Sequence, residues 1–284
     1  MRIFILIALL IFSLQAKSLF SNDKQLEDSK YLEALKNLVI ATQKTRGLTN
    51  NYLNGNVAAM LLVYGTRDDM KKAIGDMEAL PLASDAIIHD RASKISDRLI
   101  KLNRKAFKKN PEDVFDEYTE IISQILMLAQ TVSKRGSKEL NNLGKKLTII
   151  MMETILPLCE YTGQLRGMGA GVLAKGSITP EQKMKMTVMI SEVKRLSNKM
   201  VEDLVSLSVT NRDSCSTGID VVLSKVKKAT KDYIDLAQNE IMNKKKITYD
   251  SYEYFEKGTK LISLYLEVYN MNNNSIVNDS KGWL

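Results

Sequence analysis

Apolar residues recur at spacings of three and four along most of this chain, and no stretch alternates with a period of two. The pattern therefore predicts helices and no strands. In the first long helix, expected over about residues 23–55, the seam reads Leu32, Leu35, Val39, Thr42, Arg46, Thr49, Leu53, a heptad-type alternation whose centre is polar. A short helix is expected after "GTRDD", with Asp68 near its start, and the next is capped by Ser84 and runs to about residue 108. Asn110 followed by Pro111 and acidic residues marks another start, ending near "SKRGS". A helix over about 138–176 carries Pro157, which is expected to kink or split it. Thr179 and Pro180 open a helix to about residue 212, "DSCSTG" is a loop, and helices over about 218–243 and 248–270 follow. The remaining "NMNNNSIVNDSKGWL" reads as a polar tail. Long helices with short connections give an all-α, bundle-type architecture.

The first residues break this pattern. "MRIFILIALLIFSLQAKS" has one positive charge and then an apolar run over 3–14, too short to span a bilayer and the right length for a secretory signal. The expected division is a signal peptide over 1–16, a helical domain over 23–271 and a polar tail over 272–284. A periplasmic location follows, with cleavage after Ala16.

Charge and chemistry narrow the function. The net charge of +8 comes from lysines scattered among acids, the densest run being "NKKKI". These are solvated helix faces, not a nucleic-acid footprint. The single histidine, His89, stands in "AIIHDRAS" without a nucleophile motif, and no His/Cys set has metal-ligand spacing. No enzyme, metal or cofactor is expected. An antiparallel pairing of the helices over 138–176 and 180–211 would hold Cys159 about 25 Å from Cys215 at 1.5 Å rise per residue, too far for a disulfide.

The polar centre of the first seam has an echo. "TQKTRGLTNNYL" (42–53) aligns without a gap to "TGQLRGMGAGVL" (162–173), as T-x-x-x-R-G-[LM]-x-x-x-x-L. Arg46 and Arg166 each have a threonine four residues earlier, Thr42 and Thr162, and Thr49 adds a hydroxyl on the Arg46 face. A glycine follows each arginine. Gly47, Gly167 and the nearby Gly163 cost helix stability, about 1 kcal/mol each relative to alanine, and suit a close approach of backbone or ligand. Two buried guanidinium groups need carboxylates, carbonyls or an anion. Their forks suit a small planar oxyanion, and core carboxylates such as Glu153 or Glu160 are the alternative partners.

At these residues the chain resembles the NIT family of nitrate- and nitrite-sensing domains. "ATQKTRGLTNNYL" is similar to its early arginine helix, and "EYTGQLRGMGAG", with Glu160, Gly163 and Arg166, to its central one. "DVFDEYTEIISQIL" and "SYEYFEKGTKLISL" resemble two further family helices, with Tyr254 in place of a tryptophan. The resemblance implies two up-and-down four-helix bundles sharing long central helices, with nitrate or nitrite held by Arg46 and Arg166. Thr45 departs from the family, which has an acid or a second arginine there. No arginine follows Arg212 to supply the family's later-helix arginine, leaving Lys225 or Lys228 as substitutes.

The resulting expectation is an exported module that binds a small anion, nitrate or nitrite, and reports to a membrane sensor kinase or chemoreceptor. No nucleic-acid partner is expected, and a homodimer is allowed. The competing expectation is a ligand-free helical adaptor whose arginines pair with core carboxylates.

Overall fold

The computed structural model describes residues 2–211 and 218–281, with side chains over 24–211 and 218–277. Among the described residues there is helix and no strand. The helices are α1 (Arg2–Leu53), α2 (Ala59–Glu78), α3 (Ala86–Lys105), α4 (Pro111–Gly136), α5 (Asn142–Ile150), α6 (Leu156–Lys175), α7 (Pro180–Thr210), α8 (Ile219–Ala237) and α9 (Ser251–Lys281). With α5 running through a π turn into α6 and counted with it, packing sorts them into two four-helix groups. In the first, α1 lies against α2 and α4, and α3 against α4 and α2. In the second, α6 lies against α7 and α9, and α8 against the same two. The groups share the interface between α1 and α6, which makes these two the central helices.

The starts follow local chemistry. The Asn110 side chain accepts from the Glu112 amide, with Pro111 in the first turn. Thr179 and Gln182 form a reciprocal capping box. Asp85, not Ser84, caps α3, accepting from the amides of Ile87 and Ile88, because a carboxylate is both acceptor and counter-charge to the helix dipole.

Two further expectations change, at α2 and at the end of α9, while the split expected around Pro157 is present. α2 begins at Ala59, well before "GTRDD", because Val63, Thr66, Met70, Ala73 and Met77 form one continuous buried stripe. The long element around Pro157 is divided by a π turn over Met151–Ile155. A proline lacks the N–H and crowds the carbonyl four residues back, here Glu153, and the wider turn absorbs both. Residues 272–281, read as a polar tail, continue α9, with Asn272 and Ser275 buried on the stripe of Tyr265, Val268 and Tyr269. Cys159 is free and buried, and Cys215 lies outside the described residues. No described helix is long and apolar enough to cross a membrane.

Candidate functional site

α1 buries its polar seam completely. Leu35, Val39, Thr42, Arg46 and Thr49 all have no exposed surface, and Arg166 on α6 is 1% exposed. The two arginines, the largest fully buried side chains described, flank the α1–α6 crossing. At the crossing a Cβ on Gly47 would lie 3.3 Å from the Gly167 Cα, and one on Gly167 would lie 3.1 Å from the Gly47 Cα. Gly163 makes equivalent room for the Gln43 side chain.

Arg46 has its charge met by a carboxylate, and only its Nε lacks a hydrogen-bond partner among the described residues. Its Nη1 donates to Glu160 Oε1 at 2.5 Å and to Thr119 Oγ1 at 2.8 Å, and its Nη2 donates to Glu160 Oε2 at 3.3 Å. Glu160, itself 4% exposed, also accepts from the Gln43 amide at 2.8 Å and the Gln164 amide at 2.9 Å. The guanidinium carbon lies 4.9 Å from the centre of the Phe115 ring. A fork-to-fork pair with amides on the remaining lone pairs is the arrangement a buried ion pair requires.

Arg166 has the same frame without the carboxylate. Its Nη1 donates to Thr259 Oγ1 at 2.9 Å, and its guanidinium carbon lies 4.4 Å from the Phe255 ring centre. Among the described residues, its buried Nε and Nη2 have no hydrogen-bond partner and no carboxylate oxygen lies within ion-pair distance. Burial pushes Arg166 down from 12.5 to about 10, and the Arg46 charge adds to that; Tyr233, Glu160 and Glu256 oppose it. The Tyr233 hydroxyl, from α8, is also buried near this guanidinium, where Gly258 leaves space for both. Desolvation holds its phenol well above the ordinary value.

The hydroxyls predicted on the seam do other work. Thr42 bonds back to the Leu38 carbonyl at 2.7 Å, and Thr45 to the carbonyls of Ala41 and Thr66. Thr49 is buried beside the Tyr118 phenol and Thr162 beside that of Tyr265. The hydroxyls that reach the guanidinium groups, Thr119 and Thr259, come from α4 and α9. A second repeat marks them: "FDEYTEIIS" (115–123) and "FEKGTKLIS" (255–263) share F-x-x-x-T-x-[IL]-I-S at an offset of 140. Lys225 and Lys228 are solvent-exposed, and Lys228 pairs with Asp232. The α8 residue that faces the site is Tyr233. Arg67, read only as part of a helix start, is half-buried on α2, stacked 4.1 Å from the Phe107 ring centre beside Tyr118.

A cavity of about 280 Å³ lies elsewhere, bounded by Asp28, Leu32, Met151, Met152, Tyr269 and Ile276. Its buried charge is a carboxylate, so it is not an anion site. Among the described residues no group of three or more His, Cys, Asp or Glu side chains is placed to hold a metal ion.

The fold and its core define a double helical bundle with two guanidinium groups buried at the crossing of its central helices. The chain belongs to the NIT family, described as nitrate and nitrite sensing, whose family model matches residues 37–268. The NasR transcription antiterminator shares the fold, with a TM-score of 0.65 at 12% identity, over 97% of this chain and 75% of that one. No curated protein matches.

Proposed function

We propose that this chain is a sensor module that binds nitrate, nitrite or a similar small oxyanion at the α1–α6 crossing and passes the event to a partner protein. Membership of a nitrate- and nitrite-sensing family supports the class. The single observation that carries the site is Arg166, a fully buried guanidinium with two donor nitrogens unpartnered and no carboxylate partner among the described residues. Such a charge is costly to hold in a core, and an oxyanion would meet both the charge and the donors. Thr259 and the Tyr233 hydroxyl would supply neutral contacts. Arg46, Thr42, Thr49 and Thr162 would shape the pocket, and Gly47, Gly163 and Gly167 permit the helix approach.

Because α1 and α6 belong to different four-helix groups, an anion held between them acts on how the groups pack. It shifts that packing only as far as it favours one arrangement over another. An exported chain would report to a membrane sensor kinase or chemoreceptor. The ligand-free adaptor reading accounts for the charge of Arg46, which Glu160 meets, and leaves Arg166 unexplained.

Calorimetry with nitrate, nitrite, sulfate and chloride tests the reading. Nitrate or nitrite should bind selectively, and Arg166→Met should abolish it. Equal weak binding of all four anions, unchanged in Arg46→Ala and Arg166→Met, would overturn the specific-site claim.

A further inference from the structure

We infer that Glu160 is a built-in copy of the ligand: its carboxylate occupies on Arg46 the position that a planar monovalent oxyanion takes on Arg166, and its charge restricts the site to monoanions. This rests on the anion-sensing reading and goes on to name the ligand's shape and charge.

The argument starts from the two repeats. An offset of 120 carries Arg46 and Gly47 onto Arg166 and Gly167, and an offset of 140 carries Phe115 and Thr119 onto Phe255 and Thr259. The contacts obey the same exchange. Arg46 bonds Thr119 and stacks on Phe115, and Arg166 bonds Thr259 and stacks on Phe255. A Cβ on Gly47 would strike the Phe255 ring at 2.6 Å, and one on Gly167 would strike the Phe115 ring at 3.0 Å. The core is thus a pseudo-twofold pair of half-sites.

Glu160 breaks the symmetry. It stands six residues before Arg166, and the offset of 120 carries it onto Ile40, six residues before Arg46. Ile40 is a half-buried apolar side chain packed on the core. One half-site therefore has its own carboxylate, and its twin has isoleucine where the carboxylate would be. A carboxylate is a flat three-atom O–C–O group with a single negative charge. Nitrite has the same shape and charge, and nitrate adds one coplanar oxygen. Glu160 is held by the Arg46 fork and by the Gln43 and Gln164 amides; of these the arginine, with the threonine that accepts from its Nη1, has its counterpart in Arg166 and Thr259.

Charge gives the selectivity. Arg46, Arg166 and Glu160 together leave one buried positive charge at the crossing. A monoanion neutralises it. A dianion such as sulfate leaves an uncompensated negative charge in the same desolvated space, a repulsive element against the wrong ligand. Glu256 is half-buried and acts on Arg166 without an ion pair, so it adds to this discrimination and does not replace Glu160.

Calorimetry on the full chain with sodium nitrate, nitrite and sulfate, for wild type, Glu160→Gln, Ile40→Glu and Ile40→Gln, tests the inference. Glu160→Gln should raise the sulfate-to-nitrate affinity ratio by at least about tenfold, since one buried charge is removed beside the ligand. Ile40→Glu should weaken nitrate binding by about 100-fold or more, the new carboxylate taking the ligand's position, whereas Ile40→Gln stays much closer to wild type. Should wild type bind nitrate while Ile40→Glu binds it equally well and the Glu160→Gln ratio does not move, the inference fails and the sensor reading stands. Should wild type bind neither nitrate nor nitrite, the sensor reading fails and the inference with it. If Ile40→Glu does not fold, the Glu160→Gln ratio alone decides.

Discussion

Gly47 and Gly167 meet backbone to backbone where α1 crosses α6, each lying within 3.3 Å of where the other's Cβ would be. The contact sets the separation of the central helices, and with it the distance between the two guanidinium groups. Alanine at either position would gain helix propensity, about 1 kcal/mol, and lose more to the clash. At Gly167 the added methyl meets a backbone atom and the Phe115 ring, neither of which moves freely. Gly167→Ala is expected to destabilise the fold by about 1–3 kcal/mol, the usual cost of overpacking, and to weaken anion binding. Urea unfolding checks the first and calorimetry the second. A variant as stable as wild type with unchanged affinity would show that the crossing is looser than its geometry.

Arg166 should be a net burden on the ligand-free fold. Its pKa falls from 12.5 to about 10 because burial disfavours the charged form. For a base with a depressed folded-state pKa, the destabilisation is present in full below pH 10. It fades only as pH rises from about 10 toward 12.5, so stability rises with pH in that window. At neutral pH the shift corresponds to about 3 kcal/mol, to order of magnitude. Arg166→Met is therefore expected to raise the urea midpoint of the ligand-free protein by the equivalent of about 1–3 kcal/mol. Nitrate should then stabilise wild type and leave the variant unmoved. A variant that is less stable than wild type and still stabilised by nitrate would contradict both halves of the argument.

Thr119 and Thr259 are equivalent by position and unequal in consequence. Arg46 keeps the Glu160 fork if Thr119 loses its hydroxyl, whereas Arg166 has no other hydrogen bond among the described residues once Thr259 does. Thr259→Val should lower nitrate affinity by about tenfold, the scale of one hydrogen bond to a charged group, and Thr119→Val should change it by less than about threefold. Equal effects in the two variants would place the anion on the pseudo-twofold axis and not at Arg166.

Much of this was legible in the chain. The seam from Leu35 through Arg46 to Thr49 is buried throughout because a helix's period fixes which side chains share a face. The repeat around Arg46 and Arg166 marked both guanidinium groups, since sequence registers identity at fixed spacing. It did not say which arginine takes Glu160, because that depends on which face of α6 meets α1. Thr119 and Thr259 escaped for a similar reason. Their F-x-x-x-T repeat has an offset of 140, so a search at the 120 offset of the arginines passes over it. The hydroxyls on the arginines' own helices, Thr42 and Thr162, were nearer in sequence. A helical threonine, however, readily bonds the carbonyl one turn back, as Thr42 does with Leu38. Polar residues from 272 onward hid the last turns of α9, where Asn272 and Ser275 occupy core-facing positions usually held by apolar side chains.

Cys159 offers a reporter for opening of this core. It precedes Glu160 on α6 and is completely buried, and desolvation, with the Glu160 charge adding to it, pushes the thiol up to about 12. Only the thiolate reacts with an alkylating reagent, so at pH 8 the folded protein presents very little of the reactive form and no route to it. Labelling by iodoacetamide, read by peptide mapping to separate Cys159 from Cys215, is expected to be at least about 1,000-fold slower in the native protein than in urea, tracking global opening. An anion that binds only the folded core should slow it further, by about 100-fold at a ligand concentration 100 times the dissociation constant. Arg166→Met removes the proposed anchor for that ligand, so nitrate should protect Cys159 in wild type and not in the variant. Rapid native labelling, or equal protection by nitrate in both proteins, would separate the thiol's environment from the anion site and count against a closed α1–α6 crossing as the element that senses the ligand.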